Sequence, residues 1–266
     1  MKITLIGYGK MGRLLEARLL NRNHEVVAIV EPNYKGTGGE LFPQAEIYAS
    51  LESALNGAAG KNIKDSDAVI EFTHPAAAPE NLLLLAREKI PAVTGTTGWF
   101  DRLPEISRAI DKSGSSLVWS SNYSMGVNLF FRIASYAAKL IDPFSDYDVG
   151  GFEIHHNKKA DSPSGTARIL VEKVLAAMTR KKKAVFQMLD KAPAVDELHY
   201  ASIRAGSVHG THSLLFDSPA DTIELTHTAR NGEGFAAGAV LATEWLCSKK
   251  RIGVFTVDDV LSELLP

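Results

Sequence analysis

The sequence holds one cysteine, Cys247, so it has no internal disulfide and no Cys-rich metal or iron–sulfur site. That fits a reducing compartment, and the expected location is the cytoplasm. Long apolar runs are also missing. None approaches the ~18–20 residues that a membrane span needs, so no membrane partner is expected. The opening Met1-Lys2-Ile3-Thr4-Leu5-Ile6-Gly7 has too short an apolar part for a signal peptide. Neither sign of charge is in excess: Lys plus Arg is 29 and Asp plus Glu is 31. A general polyanion binder would be clearly basic, so nucleic acid is disfavoured as a partner. Repeats and low-complexity stretches are absent. The one charge run, Arg180-Lys181-Lys182-Lys183, reads as a solvated helix end, where cations suit the negative end of the dipole.

What the chain does have is enough apolar residue, 45% of 266, to bury a core in one large domain or two modest ones. Up to about Asn122, short Val/Ile-rich runs alternate with helical stretches. Strands are expected at Ile3–Ile6, Val26–Val30, Ala68–Phe72, Ala92–Thr94 and Leu117–Trp119. Helices are expected at Met11–Asn21, Ala76–Glu88 and Asp101–Lys112, with Pro75 in the first turn of the second. Continuous apolar strands joined by helices indicate a doubly wound parallel α/β sheet.

Beyond Asn122 the pattern changes. A helix over Val127–Leu140 is followed by alternating strand-like segments at Asp148–His156, Val185–Leu189, His199–Arg204, His212–Phe216 and Thr222–Thr228. One long helix interrupts them, which describes an α+β domain. Ala236–Cys247 and Val257–Leu265 return to helix. The expected division is 1–126 for dinucleotide binding, 127–235 for substrate binding and assembly, and 236–266 as helices returning to the first domain.

Gly7-Tyr8-Gly9-Lys10-Met11-Gly12 is a G-x-G-x-x-G between a strand and a helix. Its glycines permit a tight turn, backbone approach to a pyrophosphate and close helix–strand packing. The helix start adds free N–H groups and positive potential for phosphate. Glu31 closes the second strand about 20 residues on, where a carboxylate binds ribose hydroxyls. The next strand ends carry Glu71-Phe72-Thr73-His74-Pro75, Gly95-Thr96-Thr97-Gly98 and Ser120-Ser121-Asn122-Tyr123. Any one of these could be only a turn. Together they mark the sheet edge where open α/β folds bind ligands.

The densest polar stretch runs from Glu153 to Ala167: Glu153-Ile154-His155-His156-Asn157-Lys158-Lys159-Ala160-Asp161-Ser162-Pro163-Ser164-Gly165-Thr166-Ala167. A helix starts within it, with Asp161 or Ser162 as cap and Pro163 in the first turn. Ser164, Gly165 and Thr166 then offer N–H groups and hydroxyls to a carboxylate or phosphate. An ordinary capped helix would look the same without His155, His156 and Lys159 ahead of it. Those side chains can bind a carboxylate and deliver a proton. A metal is the rival reading, since His209 and His212 form H-x-x-H, but no zincin pattern accompanies them and no metal is expected. His199, His209, His212 and His227 read as structural or surface histidines.

On these two constellations the chain resembles the dihydrodipicolinate reductase family, also described as 4-hydroxy-tetrahydrodipicolinate reductase, of the diaminopimelate route to lysine. The likeness spans nearly the whole chain. Its most specific part is Glu153-Ile154-His155-His156 with Lys159 and Asp161 to Ala167; Asn122-Tyr123-Ser124-Met125-Gly126-Val127-Asn128 supports it. The resemblance implies a Rossmann domain completed by C-terminal helices, an inserted substrate domain, and a homotetramer. It assigns cofactor contacts to Gly7, Tyr8, Gly9, Lys10, Met11, Gly12, Glu31, Phe72, Thr73, Gly95, Thr96, Thr97 and Ser120, Ser121, Asn122, Tyr123. It makes His155 a proton donor or acceptor and Lys159 a proton donor. It gives His156, Ser164, Gly165, Thr166 and Thr97 to the substrate. Two departures stand out: Arg230 lies two positions earlier than the family's Arg before x-x-Phe-Ala, and Lys10 replaces a common Arg.

The expected activity is reduction of a small cyclic imine dicarboxylate by NADH or NADPH. Another two-domain amino-acid dehydrogenase would lack the His-His-x-x-Lys and Ser-Gly-Thr pairing. A redox-sensing binding protein would need a partner-binding or DNA-binding module, and no basic recognition segment is present. Glu31 is followed by Pro32, Asn33 and Tyr34, with the first cation at Lys35, so NADH is expected to serve at least as well as NADPH.

Overall fold

The computed structural model describes residues 1–56 and 63–265. Along the chain, β1 (Lys2–Ile6), α1 (Lys10–Asn21), β2 (Glu25–Val30), β3 (Glu46–Tyr48), α2 (Leu51–Leu55), β4 (Ala68–Glu71), α3 (Ala78–Arg87), β5 (Ala92–Thr94), α4 (Leu103–Ser113) and β6 (Ser116–Trp119) come first. Then follow α5 (Met125–Ile141), β7 (Asp148–His155), α6 (Gly165–Ala177), β8 (Lys183–Val185), β9 (Glu197–Arg204), β10 (Thr211–Asp217) and β11 (Thr222–Thr228). The chain ends on α7 (Glu233–Ser248), β12 (Gly253–Thr256) and α8 (Val257–Leu264). Two units result: Met1–Met125 with the chain from Gly232 onward, and Gly126–Asn231.

In the first unit seven strands run in the order β12-β6-β5-β4-β1-β2-β3, all pairs parallel. Period-2 alternation divides their side chains between two cores. Ile3, Leu5, Ile70, Val93 and Val118 face α1, α7 and α8 through Leu15, Leu19, Val240 and Leu261. Ile6, Val69, Ala92 and Leu117 face α2, α3 and α4 through Leu55, Leu82, Leu85 and Ile106. The fold is the expected doubly wound Rossmann-like α/β sheet. The strand order reverses between β1 and β4, which opens a crevice at their carboxyl ends.

In the second unit the sheet order is β11-β10-β7-β9-β8. β10 pairs antiparallel with β7 and β11; β9 pairs parallel with β7 and β8. Val149, Leu198, Tyr200, Leu214 and Phe216 form a core with Phe130 and Ala134 of α5 and Leu170 and Val174 of α6.

Several local expectations change. β3 and β12 were absent from the sequence reading, because three or four residues are too few to show a period. The C-terminal return therefore contributes a strand as well as helices. The strand expected at Val185–Leu189 lies earlier, at β8, where Ala184 and Phe186 pack on the second core. Pro79 takes the first-turn position of α3 rather than Pro75. Ser164 caps α6 in place of Asp161 or Ser162, because its hydroxyl reaches Ala167 N–H at 3.1 Å. The Arg180–Lys183 run is not a solvated helix end: Arg180 binds the carbonyls of Asp142 and Tyr147, and Lys181 is buried against Asp148 (2.6 Å).

Candidate active site

The glycine loop of the first unit has one face packed and one open. Gly7 has φ +93°, and a Cβ there would lie 2.0 Å from the carbonyl oxygen of Phe72. A Cβ on Gly12 would lie 2.4 Å from the Gly7 oxygen, so α1 is pressed onto the loop. A Cβ on Gly9 would meet nothing within 4 Å. Gly9 also caps α1 without any side-chain hydrogen bond, which leaves the helix N–H groups for a ligand. A cavity of about 450 Å³ adjoins this loop, lined among others by Gly7, Gly9, Glu31, Phe72 and Thr73. These features fit a dinucleotide: backbone for a pyrophosphate and a carboxylate for a ribose.

The remaining residues at these strand ends divide by burial. Tyr8 points into the protein: its hydroxyl bonds to buried Glu16 and accepts from Glu40 N–H at 2.8 Å. Tyr123 is also buried, its hydroxyl between the carbonyls of Thr94 (2.9 Å) and Val118 (3.0 Å). The side chains of these two are therefore committed inside the protein. Lys10, Thr97 and Ser121 are exposed, and Met11 packs against the core. Gly95 holds the Phe72 ring, which a Cβ would approach to 2.1 Å. Thr96 accepts from Thr73 N–H at 2.7 Å and donates to Glu71 at 3.1 Å. Ser120 and Asn122 close a turn after β6.

Glu71 opens one of the polar strand ends of the sequence, which assigns it no role. It is fully buried at the end of β4 and accepts from the hydroxyls of Thr73, Thr94 and Thr96. Burial pushes its carboxyl pKa up and the three hydroxyls pull it back. The group fastens the ends of β4 and β5 from beneath. Ser50, Leu51 and Glu52 of the β3–α2 junction also line the cavity, as do His74, Ala77 and Asn81. The first three escaped notice because β3 did.

In the second unit, β7 delivers Glu153 and His155 to one face, two residues apart. Glu153 is fully buried. Its Oε1 accepts from Ser164 N–H (2.9 Å), Ser202 Oγ (2.9 Å) and Arg204 Nη2 (3.1 Å), and its Oε2 from the Ser164 hydroxyl. Burial alone would raise its pKa, but these donors outweigh it and hold the carboxyl below its ordinary value. His155 Nδ1 lies 3.4 Å from Glu153 Oε2, without hydrogen-bond alignment. Burial pushes His155 below its usual pKa, Glu153 opposing and Lys159 adding to the effect. His212 faces the same carboxylate at 3.8 Å, and burial lowers it to about 4.

Lys159 pairs with Asp161 at 2.7 Å in the loop after β7, and His156 begins that loop. At the start of α6, Ser164 is committed: its hydroxyl donates to Glu153 and accepts from Ala167 N–H. Gly165 is exposed with no atom within 4 Å of a Cβ position, and Thr166 is half-buried behind it. The outward cradle is therefore Gly165 and Thr166, with Ser164 holding it from below. Arg230 is exposed.

Glu153, His155 and His212 bring ligand-type atoms within 4.8 Å of one another, a spacing that also suits a metal. Both Glu153 oxygens are already engaged, and the Arg204 guanidinium at 3.1 Å opposes a second cation. The cluster is a buried anion held by Ser164, Ser202 and Arg204, with two imidazoles beside it. Arg204 carries no signal in the sequence and His212 reads there as a structural or surface histidine, because the register of β9 and β10 on β7, not sequence proximity, brings them there.

Two family models cover nearly all of this architecture. Residues 1–123 match the dihydrodipicolinate reductase N-terminus and residues 126–261 its C-terminus. The chain belongs to the dihydrodipicolinate reductase family. A 4-hydroxy-tetrahydrodipicolinate reductase of Christiangramia forsetii is 36% identical over 264 residues, 99% of each chain. That of Methanosarcina barkeri is 34% identical over 256 residues, 95% of each chain. Among solved structures, a dipicolinate-bound dihydrodipicolinate reductase from a Paenisporosarcina species has a TM-score of 0.74 at 22% identity, covering 96% of this chain and 97% of the other. An amine dehydrogenase from Mycobacterium smegmatis has a TM-score of 0.57 at 13% identity, covering 97% and 95%, and shares the fold alone.

Proposed function

We propose that the chain reduces 4-hydroxy-tetrahydrodipicolinate to tetrahydrodipicolinate with a nicotinamide cofactor, the reductase step of the diaminopimelate route to lysine. The observation that carries this is in the second unit: His155, His156 and Lys159 precede an open helix start at Gly165, in a family of dihydrodipicolinate reductases. A cyclic dicarboxylate needs donors for its carboxylates and a proton source, and this segment has both.

When bound, the nicotinamide supplies the hydride. The glycine loop presents backbone N–H groups to the pyrophosphate, and Glu31 accepts from ribose hydroxyls. The exposed N–H groups at Gly165 and the Thr166 hydroxyl hold one substrate carboxylate, with His156 as a further contact. The Lys159 ammonium donates the proton that accompanies reduction, from Nζ. His155, kept below its ordinary pKa by burial, stays a neutral imidazole near pH 7 and hydrogen-bonds the reacting ring.

Three finer points belong to the same reading. NADH is the preferred cofactor: Glu31 and Glu52 line the cavity, and among the described residues no Lys or Arg does. The enzyme is a cytoplasmic homotetramer. Among the described residues no helix is long and apolar enough to cross a membrane. In support of assembly, the sheet face opposite α5 and α6 places Ile154 beside Ile203 and Phe152 beside Ala201, half-buried or exposed. Loss of NADH absorbance on adding fresh 4-hydroxy-tetrahydrodipicolinate tests the function; no oxidation would overturn it.

A further inference from the structure

Glu153 stands at the centre of the second unit's polar groups and has no role in the reaction as described. Its position is set by the sheet. On β7 it faces Ser202 of β9 and His212 of β10, and His155 faces Arg204 one pleat further on. Ser164, Ser202 and Arg204 all donate to its two oxygens.

We propose that Glu153 is a positioning residue that ties His155, the Lys159 loop and the carboxylate cradle of α6 into one rigid unit. The inference rests on the reductase reading above. Ser164 gives Glu153 both its N–H and its hydroxyl, which sets where α6 begins. Arg204 Nη2 donates to Glu153 and also to the Asp161 carbonyl. Asp161 in turn holds the Lys159 ammonium at 2.7 Å. His155 Nδ1 sits 3.4 Å from the same carboxylate. A shift of Glu153 would therefore move the imidazole, the ammonium and the helix start together.

The groups around His155 are Glu153 on its own strand, Lys159 and Asp161 on the loop, Arg204 on β9 and His212 on β10. Glu153 and Asp161 draw the imidazole pKa up; Lys159 and Arg204 push it down. Removing the Glu153 charge thus lowers it further.

Two substitutions separate the charge from the grip. Glu153→Gln keeps the length and an acceptor for Ser164 but not the charge. Its kcat is expected to fall about tenfold, and the acid limb of kcat/KM to move about one unit lower, the low end for a close opposite charge. Glu153→Asp keeps the charge but withdraws it from Ser164 and Arg204. KM for substrate and Ki for pyridine-2,6-dicarboxylate are expected to rise about tenfold with the acid limb in place. NADH titration reports the first unit and is expected to be unchanged in both. A merely structural carboxylate would lower Tm and leave the acid limb and KM alone, and that result overturns the proposal. Ser164→Ala serves where either variant fails to fold, because it leaves no unpaired charge: a several-fold rise in KM supports the coupling and an unchanged KM overturns it. Failure of the wild-type enzyme to oxidise NADH would sink the reductase reading itself, a separate outcome.

Discussion

The backbone N–H of Tyr8, inside the glycine loop, donates to Glu31 Oε2 at 2.9 Å. The carboxylate at the end of β2 is therefore fastened to the loop it faces. β3 runs beside β2 with Tyr48 opposite Val30, so the chain after Tyr48 carries Glu52 to the same cavity. Both acids line that cavity.

NADH should accordingly exceed NADPH in kcat/KM by about fivefold, ~1 kcal/mol, the scale of one exposed charge interaction. Glu52→Arg should move the ratio towards NADPH with kcat little changed. Steady-state rates at matched ionic strength measure this. A strong wild-type NADPH preference would mean that Lys10 or Lys35 outweighs the two carboxylates.

Lys159→Ala should lower kcat by ~10²-fold or more, the scale of a lost general acid. Fluorescence titration should find NADH affinity almost unaltered, because the cofactor loop belongs to the other unit. Near-normal turnover would remove Lys159 from the mechanism.

Pyridine-2,6-dicarboxylate should inhibit competitively through the N–H groups at Gly165. The space around Gly165 is open, so valine there leaves the fold intact and fills the place of the carboxylate. Equal Ki values for wild type and Gly165→Val would contradict the cradle.

His212 should make the protein acid-sensitive. Its folded pKa is about 4 against 6.5 when unfolded. Between those values the unfolded chain takes up a proton that the native ring refuses, so stability falls as pH falls. One such group contributes up to about 3 kcal/mol. Thermal unfolding from pH 7 to 4.5 should show a steeper loss in wild type than in His212→Gln. Parallel curves would exclude His212 as the titrating group.

Light scattering at micromolar concentration should give four times the chain mass of 28.8 kDa. Covering Ile154, Ile203 and Phe152 would supply the driving force. A monomer mass, or an unaltered tetramer in Ile203→Glu, would refute this face as the contact.

Strong local signals determined much of this protein in the sequence alone. Continuous Val/Ile runs marked β1, β2, β4, β5 and β6, and the glycine loop with Glu31 marked the cofactor edge, because parallel strands and phosphate loops leave dense patterns over a few adjacent residues. The His155 to Thr166 segment was legible for the same reason. Tertiary structure alone decided the rest. β3 and β12 exist because β2 and β6 offer them an edge, not because three or four residues demand a strand. Lys181 reads as a surface cation until β7 brings Asp148 within 2.6 Å. Ser164 reads as a substrate contact until Glu153 takes its hydroxyl. Arg204 and His212 join Glu153 only through strand register, a relation between residues about fifty to sixty positions apart that no local pattern encodes.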